Sequence, residues 1–380
     1  MNVYGVVASL LPVIPAIVAA ESTTLNHVNV FSAGEKSYTA FRIPALETAP
    51  DGSLLAVCEA RKHNRSDPGH NDNDIDLVIK RSQDGGKNWS GLTVIDDPGE
   101  KWSACNPATV VDRQQARVWL FYCRTKPGRS SATARPGTND AQAWVRYSDD
   151  NGETWSKPTD LTRVSRDFYK WGGSFFGPGG GIQDRNGRLL VPLSRTTGQR
   201  NAEGNIVSGT WNAFVIYSDD HGSTWQRGAT LPERDWGDEN QLVELADGRI
   251  LMDVRQDNGP HRWLTTSADG GLIWSVPRVG QQVTPVCCSI KRYTLVSNGD
   301  DRNRILWTGP SGPGRQKLVV RLSYDEGKSF GGEKLITEEK AAYSDITILQ
   351  DKSIGVLWER GGYQYITFTQ FDLGFLEPNE

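Results

Sequence analysis

The chain is short of cysteine, of uncompensated charge and of long apolar stretches, and each shortage narrows what it can be. Five cysteines in 380 residues, an odd number, exclude a fold held by a dense disulfide framework. None of them forms a CxxC metal pair, and no EF-hand calcium pattern occurs. Forty-two Lys and Arg stand against 46 Asp and Glu, a formal charge of −4 with no strongly basic block, which argues against nucleic acid as a partner. Helical periodicity is missing from every long window, and no low-complexity linker interrupts the chain. What is plentiful is glycine (40), proline (19) and tryptophan (13), a composition suited to many short strands and tight turns. With 37% hydrophobic and 23% charged residues, the chain can bury a sizeable core and is not a disordered acidic tail.

The one long apolar stretch, residues 2–20, ends in Val18-Ala19-Ala20 before Glu21. It reads as the apolar region and small-residue cleavage site of a signal peptide over residues 1–20, although no Lys or Arg supplies the usual N-terminal charge. A membrane anchor or a buried strand is the alternative, and Pro12, Pro15 and Glu21 weaken a spanning helix. A secreted or periplasmic protein is expected. Cys105 and Cys123 flank two strand-like segments and are placed to pair if the chain is exported, whereas the adjacent Cys287 and Cys288 read as buried thiols. Asn64-Arg65-Ser66 and Asn88-Trp89-Ser90 are glycosylation acceptors only in a host that modifies them.

After this leader, an internal repeat organises the sequence. The pattern Ser-x-Asp-x-Gly-x-Thr-Trp occurs as SQDGGKNW at 82–89, SDDNGETW at 148–155, SDDHGSTW at 218–225, SADGGLIW at 267–274 and SYDEGKSF at 323–330. Successive starts lie 66, 70, 49 and 56 residues apart, close to one four-stranded propeller blade with variable loops. Each copy follows an alternating or apolar segment (DLVIKR, AWVRY, AFVIY, RWLTT, KLVVRL), which puts it in the turn leaving a strand. Asp is suited to capping turn amides, Gly to the tight backbone, and the aromatic to packing between sheets. The repeats are therefore expected on one rim as scaffold, away from any substrate.

Further strands are expected at 53–60, 116–123, 188–195, 249–256, 353–360 and 363–370, and long loops at 127–140 and 197–210. The fold class expected is all-β: a six-bladed β-propeller with four-stranded antiparallel blades, residues 21–380 forming a single domain.

The repeats are those called Asp boxes. Together with Phe41-Arg42-Ile43-Pro44, they make the chain resemble, over roughly residues 30–370, a sialidase (exo-α-neuraminidase) of the bacterial and animal type. The substrate this implies is an anionic sugar with its carboxylate on the anomeric carbon, at the terminus of glycoproteins, glycolipids or oligosaccharides. Converging guanidinium forks select such a carboxylate without a metal, and Arg42, Arg255 and Arg315 resemble the family's arginine triad. Arg321 is the nearest competitor for the third place. Tyr343 in AAYSDI resembles the nucleophile and Glu239 in GDENQLVEL the carboxylate that accepts its proton, with Glu244 the residue most easily mistaken for it. Tyr nucleophiles set sialidases apart from most glycosidases. Asp67 resembles the acid/base; Asp72, Asp74 and Asp76 share its polar loop. Arg61 is expected to contact substrate or orient Asp67, and Glu359 to hold Arg42. His63 and His70 read as loop surface.

The aromatic, Gly-rich stretch 169–179 resembles a loop facing the site, and Trp102, Asn106, Phe121 and Trp211 are further candidates for its wall. The resemblance implies a retaining hydrolase that needs no metal, nucleotide or organic cofactor and acts as a monomer. The same scaffold would also suit a trans-sialidase, an intramolecular trans-sialidase or a catalytically silent sialic-acid-binding propeller.

Overall fold

The computed structural model describes Met1 and residues 25–200, 206–232, 237–256 and 259–377; the expected leader at 1–20 lies, apart from Met1, outside them. Among the described residues the only α-helices are the single turns Thr162–Ser165 and Leu373–Leu376, and none is long and apolar enough to cross a membrane. The rest is strand and turn, with short 3-10 helices at Glu35–Ser37 and Val296–Asn298.

The strands pair in chain order as antiparallel meanders. Gly237–Glu244, Ile250–Gln256, His261–Ser267 and Arg278–Gln282 make one sheet of four. The same order is followed by Ala40–Thr48, Leu54–Arg61, Ile75–Ser82 and Thr93–Asp96, and again by Ser103–Asp112, Arg117–Thr125, Ala141–Ser148 and Thr159–Asp160. Gly173–Phe176, Leu189–Arg200, Ile206–Ser218 and Gln226–Arg227 repeat it. The long strand Gly331–Ile348 is shared. Its first half pairs with Gln316–Ser323 and its second with Ile354–Arg360. The last sheet is completed by His27–Ser32, which pairs with Tyr365–Phe371. The result is a β-rich, curled, propeller-like arrangement.

The first strand of each meander lies innermost, and there the sheets are joined by a buried polar network. Asp345 accepts from the Leu46 amide (2.8 Å), Gln241 (3.1 Å) and Ser289 (2.8 Å). Burial pushes its carboxyl pKa up, and these donors work against that. Four inner strands also break register at one level: between Arg42 and Ala45, Cys105 and Ala108, Gly237 and Asn240, and Ala341 and Ser344. Ile43 and Asn106 sit there with left-handed φ of 59° and 53°, each followed by proline. Such bulges re-aim side chains that strict alternation would turn elsewhere.

The five repeats fold into five equivalent turns. In each, the Ser hydroxyl accepts from the Gly amide (2.7–2.9 Å) and donates to the Asp. The Asp in turn accepts from the amide four residues on, 2.8–3.0 Å. The aromatic packs onto the preceding sheet, as Trp225 does on Trp119 and Phe121 and Trp89 on Phe368. Register places the turns on the face opposite Arg42, since Leu54 pairs with Ser82 whereas Arg42 pairs with Glu59.

The Thr154 hydroxyl and amide hold the Asp150 carboxyl at about 2, and the Asn88 amide and side chain do the same for Asp84. A carboxyl depressed in the folded state contributes stability that is present above its unfolded pKa and lost as pH falls through the folded value. Calorimetry is therefore expected to show a melting temperature that falls steeply from about pH 4 to about pH 2. Asp150→Asn should remove its share of that slope.

Two expectations need correction. The expected loop at 197–210 is strand over 197–200 and 206–210, where Leu189–Arg200 and Ile206–Ser218 run paired, and residues 201–205 lie outside the described residues. Cys105 and Cys123 face each other across neighbouring strands, but as buried free thiols, with no bridge between them.

Candidate active site

The side chains aimed by these bulges meet at one end of the inner strands. Arg42 is buried and gripped by Glu359, its Nε donating to Oε1 (2.8 Å) and its Nη2 to Oε2 (3.1 Å). Glu359 also accepts from the amides of Ile43 (2.9 Å) and Tyr343 (3.1 Å), so one carboxylate ties the first sheet to the last. Burial disfavours the Arg42 charge, but Glu359 outweighs it and the guanidinium pKa is raised. Its remaining nitrogen, Nη1, lies 3.4 Å from Asp67.

Arg61, fully buried, donates through Nε (3.0 Å) and Nη2 (2.6 Å) to Glu59, and through Nη1 to the Arg65 carbonyl (2.7 Å) and Asp67 (3.0 Å). Burial raises the Glu59 pKa against the pull of Arg61. The Asp67 side chain stays 69% exposed, open to a ligand. Burial raises its pKa too, but Arg61 and Arg42 prevail and hold the carboxyl below its ordinary value. The neighbouring acids are spent elsewhere: Asp74 and Asp76 on Lys62 (2.9 and 3.0 Å) and Asp72 on Lys101 (3.2 Å).

Tyr343 points its hydroxyl at Glu239, 2.7 Å from both carboxylate oxygens. Arg255 Nη1 donates to Tyr343 Oη (2.9 Å) and to Glu239 Oε2 (2.7 Å), closing a triangle. Burial and then the Glu239 charge push the phenol pKa well above 10, while Arg255, Arg42 and Arg315 pull it back. Arg315 has its Cζ 5.6 Å from the Tyr343 ring and donates to Tyr363 Oη (2.7 Å), and the Tyr363 ring lies 4.1 Å from the Arg42 Cζ. The competitors are engaged elsewhere, Arg321 with Glu333 (2.8 Å) and Glu244 with Arg185.

A cavity of about 260 Å³ opens beside these groups, bordered by Arg61, Asp67, Glu239, Arg255 and Tyr343 together with Asn106, Phe175 and Trp211, whereas Arg42 and Arg315 are not in its lining. Asn106 and Trp211 thus line it, but Phe121 does not. It is fully buried in the core against Phe176 and Trp225. Trp102 is also outside the lining. Of the stretch 169–179 only Phe175 reaches the cavity; Trp171 packs on Phe214 and Tyr169 is exposed. His70 is exposed loop surface, as expected, and also stands at the cavity edge, while Asp238, Ser130 and Ser131 were not foreseen as neighbours. Glu59 was not foreseen either, though strand alternation, which puts it on the face of Arg61, would have signalled it. Tyr363 had only a Gly-Gly-Tyr turn after Glu359 to signal it.

Comparison with known proteins follows the same line. A model of the BNR repeat-like domain family matches residues 52–358. The chain belongs to the bacterial and animal type of sialidase (BNR-repeat) family. It is 31% identical over 357 residues to a sialidase of Micromonospora viridifaciens, covering 90% of this chain and 53% of that one. A Hadza microbial sialidase superposes with a TM-score of 0.81 at 25% identity, over 91% of this chain and 68% of the other. An intramolecular trans-sialidase from Ruminococcus gnavus, in complex with oseltamivir carboxylate, shares the fold (TM-score 0.76, 19% identity, covering 93% and 98%). The chain spans between about half and two thirds of the length of the bacterial sialidases it matches.

Proposed function

We propose that this family member is a retaining exo-α-sialidase, built as a six-bladed propeller with four antiparallel strands per blade. The successive meanders support the blade count, and the triangle of Tyr343, Glu239 and Arg255 carries the chemistry. Arg42, Arg255 and Arg315 hold the sugar carboxylate. Asp67 gives its proton to the glycosidic oxygen as the C–O bond breaks, and Tyr343 Oη bonds to the anomeric carbon as Glu239 takes the phenolic proton. Water deprotonated by Asp67 then displaces Tyr343, whose oxygen recovers its proton from Glu239. A phenol, being neutral, meets this substrate without the repulsion that a carboxylate nucleophile would suffer from the sugar's own charge.

Asp67, held ionised by Arg42 and Arg61 in the open site, must gain a proton before it can act. A substrate carboxylate on Arg42 weakens one of those two holds, so binding raises the Asp67 pKa toward the working range. The leader at 1–20 and a secreted or periplasmic location complete the proposal.

The test is release of 4-methylumbelliferone from its α-sialoside, with the anomeric configuration of the freed sugar read by NMR before it equilibrates. An α product supports retention; a β product or no turnover rejects the proposed mechanism. Recovery of 2,7-anhydro or transferred products would point to the trans-sialidases. Asp67→Ala is expected to lose about 10²-fold or more in kcat/KM with an alkyl leaving group, and much less with an aryl group that departs unprotonated.

A further inference from the structure

Arg315 borders a second cavity, of about 480 Å³, whose wall also carries Arg65, Lys340, Tyr363 and Glu359. Its charge is unbalanced. Glu359 is committed to Arg42 and to two backbone amides, and Arg65, Arg315 and Lys340 make no ion pair among the described residues. Cations nearby do find partners: Arg360 pairs with Glu339 (2.6 Å) and Lys317 with Glu338 (3.7 Å).

What separates the three is neutral. Arg65 Nη1 lies 3.4 Å from the Gly362 carbonyl, and Arg315 donates to the Tyr363 hydroxyl. Gly361, Gly362 and Tyr363 have φ of 62°, 65° and 72°. For tyrosine that backbone is unfavourable, and the ring is kept there by Arg42 on its face and Arg315 on its hydroxyl. Arg65 stands two residues before Asp67, on the loop that faces the departing oxygen.

Building on the sialidase reading, we infer that this cavity is a subsite for a second negative charge, carried by the part of the substrate beyond the scissile bond. Arg65 and Lys340 take an acidic group there, either the carboxylate of a second acidic sugar or a sulfate ester. Arg315 is left for the carboxylate of the sugar being cleaved.

The experiment compares kcat/KM for three substrates: a sialyl-galactoside, the same galactoside carrying a sulfate ester, and a disaccharide of two sialic acids. Each is run with wild type and with the double variant Arg65→Ala/Lys340→Ala. Arg65→Ala leaves the carbonyl used by Arg61 in place. In the variant at low salt, the expected result is a loss of roughly 5- to 30-fold on one or both substrates that carry a second negative charge, shrinking in about 0.5 M NaCl, and a change under about twofold on the plain sialyl-galactoside. Which doubly charged substrate responds identifies the acidic group. Equal ratios for all three overturn the subsite while leaving the sialidase reading intact. No turnover of any of them by wild type overturns both.

Discussion

Tyr343→Phe is expected to lower kcat by about 10³-fold, while a non-hydrolysable sialic acid analogue binds within about threefold of its wild-type affinity. The reasoning is local. Removing one oxygen deletes the atom proposed to bond to the anomeric carbon, yet Glu239 keeps its 2.7 Å contact with Arg255 and is not left as an unpaired buried charge. The Tyr343 amide still donates to Glu359, so the inner strand holds its place. Single-turnover kinetics alongside calorimetric titration separate the two effects. A fall of less than about tenfold in kcat would remove Tyr343 from the bond-forming role.

Glu359→Ala should damage both the fold and the site. It leaves the buried Arg42 guanidinium without its bidentate partner and strips the Ile43 and Tyr343 amides of their acceptor. Breaking a buried pair in this way costs about 3–5 kcal/mol. Glu359→Gln keeps the shape and an oxygen for one amide, and is expected to recover much of the stability but little of the turnover, because Arg42 then lacks a charged anchor against Asp67. Denaturant unfolding and kcat/KM measured on both variants check this. Equal stability of the alanine variant and wild type would refute it.

Much of this site was legible because its chemistry is written locally. The Phe-Arg-Ile-Pro motif, the repeated turns and the surroundings of Tyr343 and Glu239 each occupy a few consecutive residues, and turn chemistry of that kind survives the loss of tertiary context. The choice of Asp67 over Asp72 and Asp74 was harder, since they share one polar stretch, and only partners distant in sequence such as Lys101 show where the others are spent. Phe121 and Phe175 could not be sorted in advance. Both sit in apolar strands, and which face looks into the cavity depends on bulges that interrupt the two-residue period. Tyr363 and His70 reach the site through loop geometry, which has no periodic signature in sequence.

The pairing of His27–Ser32 with Tyr365–Phe371 has a consequence for how the protein comes to be active during synthesis. Its two strands lie more than 300 positions apart, so this pairing is among the slowest kinds of contact to form. Tyr343 and Glu359 belong to the strands that this seam completes, whereas Arg42 and Asp67 lie near the beginning of the chain. A nascent chain therefore carries Arg42 and Asp67 well before Tyr343 and Glu359 emerge to meet them. Completion of the last sheet and assembly of the site are then one event.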